Sequence, residues 1–364
     1  LHTGAGIFDT IALDGYDSET EREKRPTRSP NAKAGRLQQA HSTRSHKWEH
    51  APIRLRELLK ELLKATRRRV APSAELQKSQ ALPPTPVEPI RRLVLTDEVS
   101  RTLFGEYAYH RTTKRSREEI GWDLMGIRQG DAAIVWGTLP AGEARDSSAG
   151  HVLFDRDAQG IAARILRQAS RQLKILGVVH THPGTLRHPS SDDYRGDIEW
   201  VTNLRGGEGV FGIGTADAKP KSEAGISWQP ASNVQCLGDL CLSWYVLGKG
   251  DRNYRPLSVE LSIGRDLAAP LRPIWGELET HGERLERLAR QLSGVKFDIA
   301  TGYEKPALIV NVPLADEGRS IRVELEGKAV RYRLTTPEGT LASDLKEDRI
   351  DVGVFLMLSE LAAR

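Results

Sequence analysis

Apolar residues recur most regularly in "RLRELLKELLKATRRR". There Leu55, Leu58, Leu59, Leu62 and Leu63 fall on one face of a helix expected over residues 52–70. Pro52 suits its first turn, and Arg67, Arg68 and Arg69 suit the negative end of its dipole. Residues 1–50 are polar, with too few large apolar side chains to offset the entropy of ordering, and are expected to be disordered or loosely attached. The stretch 71–90, which contains "ALPPTPVEP", reads as a Pro-rich extended linker, placing a domain boundary near residue 90.

From there the pattern alternates between helical and extended periods. "RLVLT" is expected as a strand whose Thr96 caps a helix running to about Tyr109, and "GWDLMGI" and "AAIVWGTL" read as two strands. A helix over 157–173 carries Ile161, Ile165, Ala169 and Leu173 on one side. "KILGVVHTH" is apolar on both faces, as expected of a central strand. A helix from Ser190 and strands at "GVFGIGTAD" and "CLSWYVLG" complete a mixed α/β domain over 91–250. Beyond it, Ile274, Leu278, Leu285, Leu288 and Leu292 mark a long amphipathic helix. Three period-two strands follow, with a turn at Glu326-Gly327-Lys328, and then a helix holding Val354, Leu358 and Leu361. Residues 265–364 are therefore expected as a small separate α+β accessory unit.

Charge and composition narrow the function classes. The net charge of +4 belongs to the N-terminal flank, because residues 1–90 hold 16 Lys or Arg against 11 Asp or Glu. That excess is modest and lacks interleaved aromatics, which points away from nucleic acid and toward a partner-binding or solvated segment. No apolar run approaches the roughly 20 residues of a membrane span, and the first residues do not resemble a signal peptide. The chain is thus expected in the cytoplasm. The only cysteines, Cys236 and Cys241 in "CLGDLC", are expected as two reduced thiols.

Candidate chemistry lies in "VVHTHPGTLRHPSSDDY". On a strand, side chains at i and i+2 share a face, so His180 and His182 can present two imidazoles together, a compact donor pair for zinc. A core or turn histidine would also account for either residue. Ser190 is a natural N-cap, and Asp193 three residues on completes the pattern of a capping box, which by itself needs no metal. The same cap would turn the Asp193 carboxylate back toward the strand end. His180, His182 and Asp193 would then be three ligands with a fourth position open, the arrangement of a catalytic zinc. A base is sought upstream in "REEIGWDLMG", where Glu119 precedes a strand. Ser190 is the candidate to stabilise an oxyanion.

Together, His180-Thr181-His182-Pro183, seven residues, and then Ser190-Ser191-Asp192-Asp193 resemble the motif of the JAMM (MPN+) zinc metalloproteases. Glu119, Gly121 and Gly126, with Glu119 61 residues before His180, resemble the family's upstream element. The resemblance covers about 91–250 and implies an MPN/JAB, cytidine deaminase-like mixed sheet flanked by helices. It implies one zinc ion held by His180, His182 and Asp193, with Glu119 moving the proton of the attacking water and Ser190 steadying the tetrahedral intermediate. The implied activity is an isopeptidase or peptidase acting at the C-terminus of ubiquitin or a ubiquitin-like protein. The helix at 52–70 or the C-terminal unit would contact that protein or other components of its conjugation system. Processing of a sulfur-carrier protein, a non-catalytic MPN scaffold and a RadC-type DNA-associated protein are the alternatives, the last without its usual upstream helical hairpins. Trp122 and Asp123 depart from the family pattern and leave the strand's register, and the choice between Glu118 and Glu119, open. His188 reads as a substrate-side or solvated residue.

Overall fold

The computed structural model describes residues 88–364, except 144, 205, 220–226, 302–304, 316–317 and 364. The expected segments 1–50 and 52–70, and all but the end of the linker 71–90, lie outside the described residues. The first strand, β1 (Arg92–Thr96), leads into α1 (Asp97–His110), and Thr96 caps that helix by accepting from the Val99 N–H. The hairpin β2 (Gly121–Gln129) and β3 (Ala132–Pro140) follows, with a small arm of β4 (Asp146–Ser147) and β5 (Val152–Leu153). Next come α2 (Arg156–Ala169), β6 (Lys174–Thr181), α3 (Ser191–Val201) and β7 (Glu208–Thr215). Helix α2 ends at the Ser170 cap, short of the expected 173, because Leu173 already belongs to the turn into β6.

Strands β8 (Ser227–Ala231), β9 (Val234–Leu237), β10 (Leu240–Gly248), β11 (Arg255–Pro256) and β12 (Ser258–Ser262) complete the main sheet. Its order is β12-β1-β3-β2-β6-β7-β10-β9-β8, with β11 against β10. β12 pairs in parallel with β1, so the sheet extends past the expected end at residue 250.

β6 lies between antiparallel β2 and parallel β7, which is why its sequence is apolar on both faces. One face of the sheet packs against α1 through Leu93, Leu103, Trp122, Leu124, Val179 and Trp244. By alternation His180 belongs to the opposite face, with Val178 and, through the β2 register, Gly121 and Asp123. That second face carries α2 and, over Phe211, α3.

A 3-10 turn (Ala269–Ile274) precedes α4 (Trp275–Gln291). Strands β13 (Lys296–Ala300), β14 (Ala307–Pro313), β15 (Ser320–Glu326), β16 (Ala329–Thr336) and β17 (Gly339–Ala342) form a second, antiparallel sheet before α5 (Ile350–Ala363). The expected turn is present, with Gly327 at φ 59° between β15 and β16. The C-terminal unit shares a core with what precedes it. One continuous cluster joins Met125, Leu139, Ile161 and Leu166 to Leu278, Leu285, Val323 and Val354.

The cysteines correct the expectation of reduced thiols. Cys236 and Cys241 are bonded to each other, with Cα atoms 4.2 Å apart. The cause is the register: Leu237 pairs with Leu240 and Cys236 with Cys241, around a two-residue turn that Gly238 enters at φ 61°. Four intervening residues are what such a pair requires.

Asp123 sits on an inner strand, between Leu139 of β3 and Val178 of β6, so the register left open by its charge is that of a central strand. Burial pushes its carboxyl up from 3.8 to about 7. The folded state therefore keeps this proton more tightly than the unfolded chain does. The stability it contributes is present at low pH, falls as pH rises from about 4 to about 7, and levels off above that. Measured by denaturant unfolding, the stability difference between Asp123→Asn and the wild type should move in the variant's favour. The change should be on the order of 2–4 kcal/mol between about pH 4 and pH 8.

Candidate metal centre

The two histidines occupy the end of β6 and the residue after it. His180 faces Gly121 across β2, and the His182 N–H donates to the Gly214 carbonyl of the neighbouring β7. A side chain at Gly121 would collide with the Phe154 ring, which a Cβ there would approach to 2.8 Å, so glycine is needed at that position. Both imidazoles are buried.

α3 begins with the expected capping box. The Ser190 Oγ accepts from the Asp193 N–H at 3.2 Å, and the Ser190 N–H donates to Asp193 Oδ2 at 2.6 Å. This exchange turns the Asp193 carboxylate toward the strand end. Asp193 Oδ1 lies 3.3 Å from His180 Nε2, and Oδ2 lies 3.4 Å from His182 Nε2. The two Nε2 atoms are themselves 3.1 Å apart.

These three separations test whether the residues fit a metal ion. Bonds of about 2.0–2.1 Å set neighbouring donors about 3.3–3.4 Å apart around a tetrahedral ion. Each Nε2 lies close to that spacing from one oxygen of Asp193, and His180, His182 and Asp193 each offer one donor atom within 4.8 Å of the others, a group able to hold a metal ion and the one such group among the described residues. His182 is also oriented for the task, because its Nδ1 lies 2.8 Å from the Leu186 carbonyl. A proton on Nδ1 leaves Nε2 with its lone pair free for a cation.

Electrostatics points the same way. Burial opposes ionisation of Asp193, yet its close contacts with His180 and His182 outweigh it and hold the carboxyl far below the usual range. For His180, burial disfavours the charged ring, and the Asp193 carboxylate more than reverses that, with help from Glu119 and Asp197.

The choice between the two glutamates follows from their neighbours. Glu118 is taken by Arg115 and Ser147, at 2.7 Å each. Glu119 is only 4% exposed, and its backbone N–H is anchored by the Ser148 carbonyl of the arm. It stands two residues ahead of β2 rather than on it. Burial raises its carboxyl, His180 and His182 pull it down, and Asp193 raises it again, so it shares the electrostatic environment of the histidine pair. Ser190 sits at the N-cap beside Asp193, and its hydroxyl hydrogen remains free to donate because the cap uses Oγ as acceptor. His188 is exposed and stays outside the group; its Nδ1 is near the Pro189 carbonyl.

With this geometry in view, the comparisons with known proteins locate the domain. Residues 100–229 match the family described as prokaryotic homologs of the JAB domain. The match contains Glu119, His180, His182, Ser190 and Asp193, running from within α1 into β8. A solution structure of a protein from Desulfitobacterium hafniense is similar over 48% of this chain and 94% of that one, at 20% identity and a TM-score of 0.33. No curated protein matches the chain.

The surroundings of the site also contain groups that sequence reasoning passed over. Asp197 lies one helical turn after Asp193, and burial pushes it up to about 7 although Tyr254 Oη donates to it at 2.7 Å. The i, i+4 relation to Asp193 was a readable signal for it. Arg187 of the loop after His182 is gripped by Asp217, and its carbonyl accepts from the Tyr245 hydroxyl. No sequence spacing connects residues 187, 217 and 245.

Removing one imidazole leaves two donors, so His182→Ala should lose the metal. Metal content by atomic absorption should be near one ion per wild-type chain and near zero in the variant. A chelator should lower the melting temperature of the wild type alone, because a bound ion stabilises only the state that holds it. Equal metal in both proteins would remove His182 as a ligand.

Proposed function

We propose that this chain is a zinc-dependent peptidase or isopeptidase. It would hydrolyse an amide bond at the C-terminus of ubiquitin or a ubiquitin-like protein, in deconjugation or in precursor processing. The observation that carries the reading is the meeting of His180, His182 and Asp193 at metal-ligand spacing beside the buried Glu119. The family match is compatible with a peptidase-type domain, and three protein donors leave one position open at a four-coordinate ion for water or substrate. Bound zinc would supply the Lewis acidity that makes water a nucleophile near neutral pH and polarises a carbonyl.

The chain's own groups supply the rest. Glu119, with its affinity for protons raised by burial, is suited to take a proton from the attacking water and hand it to the leaving amine. Ser190 can direct its hydroxyl hydrogen at the oxygen that becomes negative in the transition state. The capping box holds Asp193 and Ser190 on one rigid helix start, so ligand and oxyanion donor keep a constant relation. A ubiquitin-like partner fits this chemistry through its exposed C-terminal tail, which can enter a site at a strand end. Processing of a sulfur-carrier protein would use the same groups in the same roles.

Incubation of the zinc-loaded protein with ubiquitin-like fusions and isopeptide-linked conjugates tests the proposal. The wild type should cleave, and Glu119→Gln should retain zinc while losing roughly 10²–10⁴-fold in rate. Undiminished cleavage by the variant would remove Glu119 as the base. Failure of zinc-loaded wild type on every such substrate would favour a non-catalytic scaffold.

A further inference from the structure

The loop between the metal-ligating strand and helix is held by three anchors that the mechanism above does not use. Arg187 Nε lies 3.0 and 3.1 Å from the two carboxylate oxygens of Asp217, just beyond the end of β7. Asp217 is in turn held by the hydroxyl of Thr215, the last residue of β7, at 2.8 Å. The Arg187 carbonyl accepts from the Tyr245 hydroxyl of β10 at 2.8 Å. The adjacent carbonyl, that of Leu186, is the one facing His182 Nδ1 at 2.8 Å. Both the side chain and the main chain of residue 187 are therefore pinned, and the peptide they pin sits directly against a ligand histidine.

We infer that Arg187, Asp217 and Tyr245 are positioning residues: they hold the Leu186 carbonyl where it keeps the His182 proton on Nδ1, presenting Nε2 to the metal. The inference rests on the metal centre proposed above and extends it by naming what fixes one ligand's tautomer. An imidazole carries its neutral-state proton on whichever nitrogen has the better acceptor. Asp193 Oδ2 lies 3.4 Å from Nε2, so a carboxylate competes for that proton. If the Leu186 carbonyl moves away, the proton shifts to Nε2, and the lone pair moves to Nδ1, on the side of the ring away from Asp193 and His180. A loop of seven residues that includes Gly184 has no helix or strand of its own to prevent that movement. The clamp ties it to β7 and β10, both strands of the main sheet. Asp217 also offsets the guanidinium charge of Arg187 close to a site that must accept a dication.

The test uses the full chain and zinc as the probe. Zinc affinity is measured by competition with a chromophoric chelator for wild type, Arg187→Ala, Asp217→Asn and Tyr245→Phe. In the metal-free proteins, nitrogen-15 NMR of the imidazoles reads the His182 tautomer. Outer-shell changes of this kind weaken metal binding by about 10- to 100-fold, and that is the loss expected for Arg187→Ala and Asp217→Asn. The His182 signal should move toward the Nε2–H form at the same time. Tyr245→Phe removes one hydroxyl and should show a smaller change of the same sign. The exchanged pair Arg187→Asp with Asp217→Arg should recover part of the affinity.

Unchanged affinity and tautomer in all variants, even with a lowered melting temperature, would overturn the inference and leave the clamp as a purely structural contact. Wild type that binds no zinc would instead defeat the metal-centre reading. In that event the tautomer in the metal-free chain still decides whether the clamp sets His182.

Discussion

The candidate site depends on the burial of β6 between β2 and β7. A strand paired on both edges and covered on both faces cannot shift its register without turning every apolar side chain to the wrong side. That rigidity fixes where His180 and His182 emerge at the strand's end. It also decides which groups meet them, because β2 brings Gly121 opposite His180 and β7 receives the His182 N–H. Without this platform, two imidazole nitrogens 3.1 Å apart and a carboxylate beside them would separate into water.

Around that platform the domain concentrates acidic groups at the cost of their solvation. Asp193 is kept ionised by its histidine partners and by the cap. Glu119, Asp123 and Asp197 are all raised, with burial as the leading cause. Three raised carboxyls on or near one face of a sheet work against stability at neutral pH, and domains keep such groups chiefly where chemistry uses them. Glu119 has such a use in the proposed reaction. Asp197 adjoins it through His180, whose charge it favours. The shared core with the second sheet offsets part of this burden. Helix α2, which covers the site's face, packs on α4 and is buttressed by the C-terminal strands.

Much of the site was legible because its parts obey local rules. The i, i+2 histidines need only a strand, and Ser190 and Asp193 need only a helix start. Glu119 was harder. Its neighbour Glu118 has the same chemistry, and the difference is made by Arg115 and Ser147, which occupy Glu118 and leave Glu119 to turn inward. The fold was legible to a similar degree. Long periodic segments such as α4 and β10 fall close to where they were expected, whereas α2 stops early because a turn takes Leu173. Strand β12 alternates with period two in "LSVELSI", but its place in the sheet comes from parallel pairing with β1, more than 160 residues earlier in the chain.

Local spacing and periodicity in the amino-acid sequence determined the element types, the central character of β6, the capping box and the pairing of two imidazoles on one face. Those features depend on neighbours within one turn or one strand. Tertiary structure alone decided which glutamate turns inward and that the C-terminal sheet shares its core with α2. It alone brought Arg187, Asp217 and Tyr245 together around the loop between β6 and α3. Each of these outcomes joins residues through the packing of separate elements, and a spacing along the chain carries no record of which elements will lie side by side.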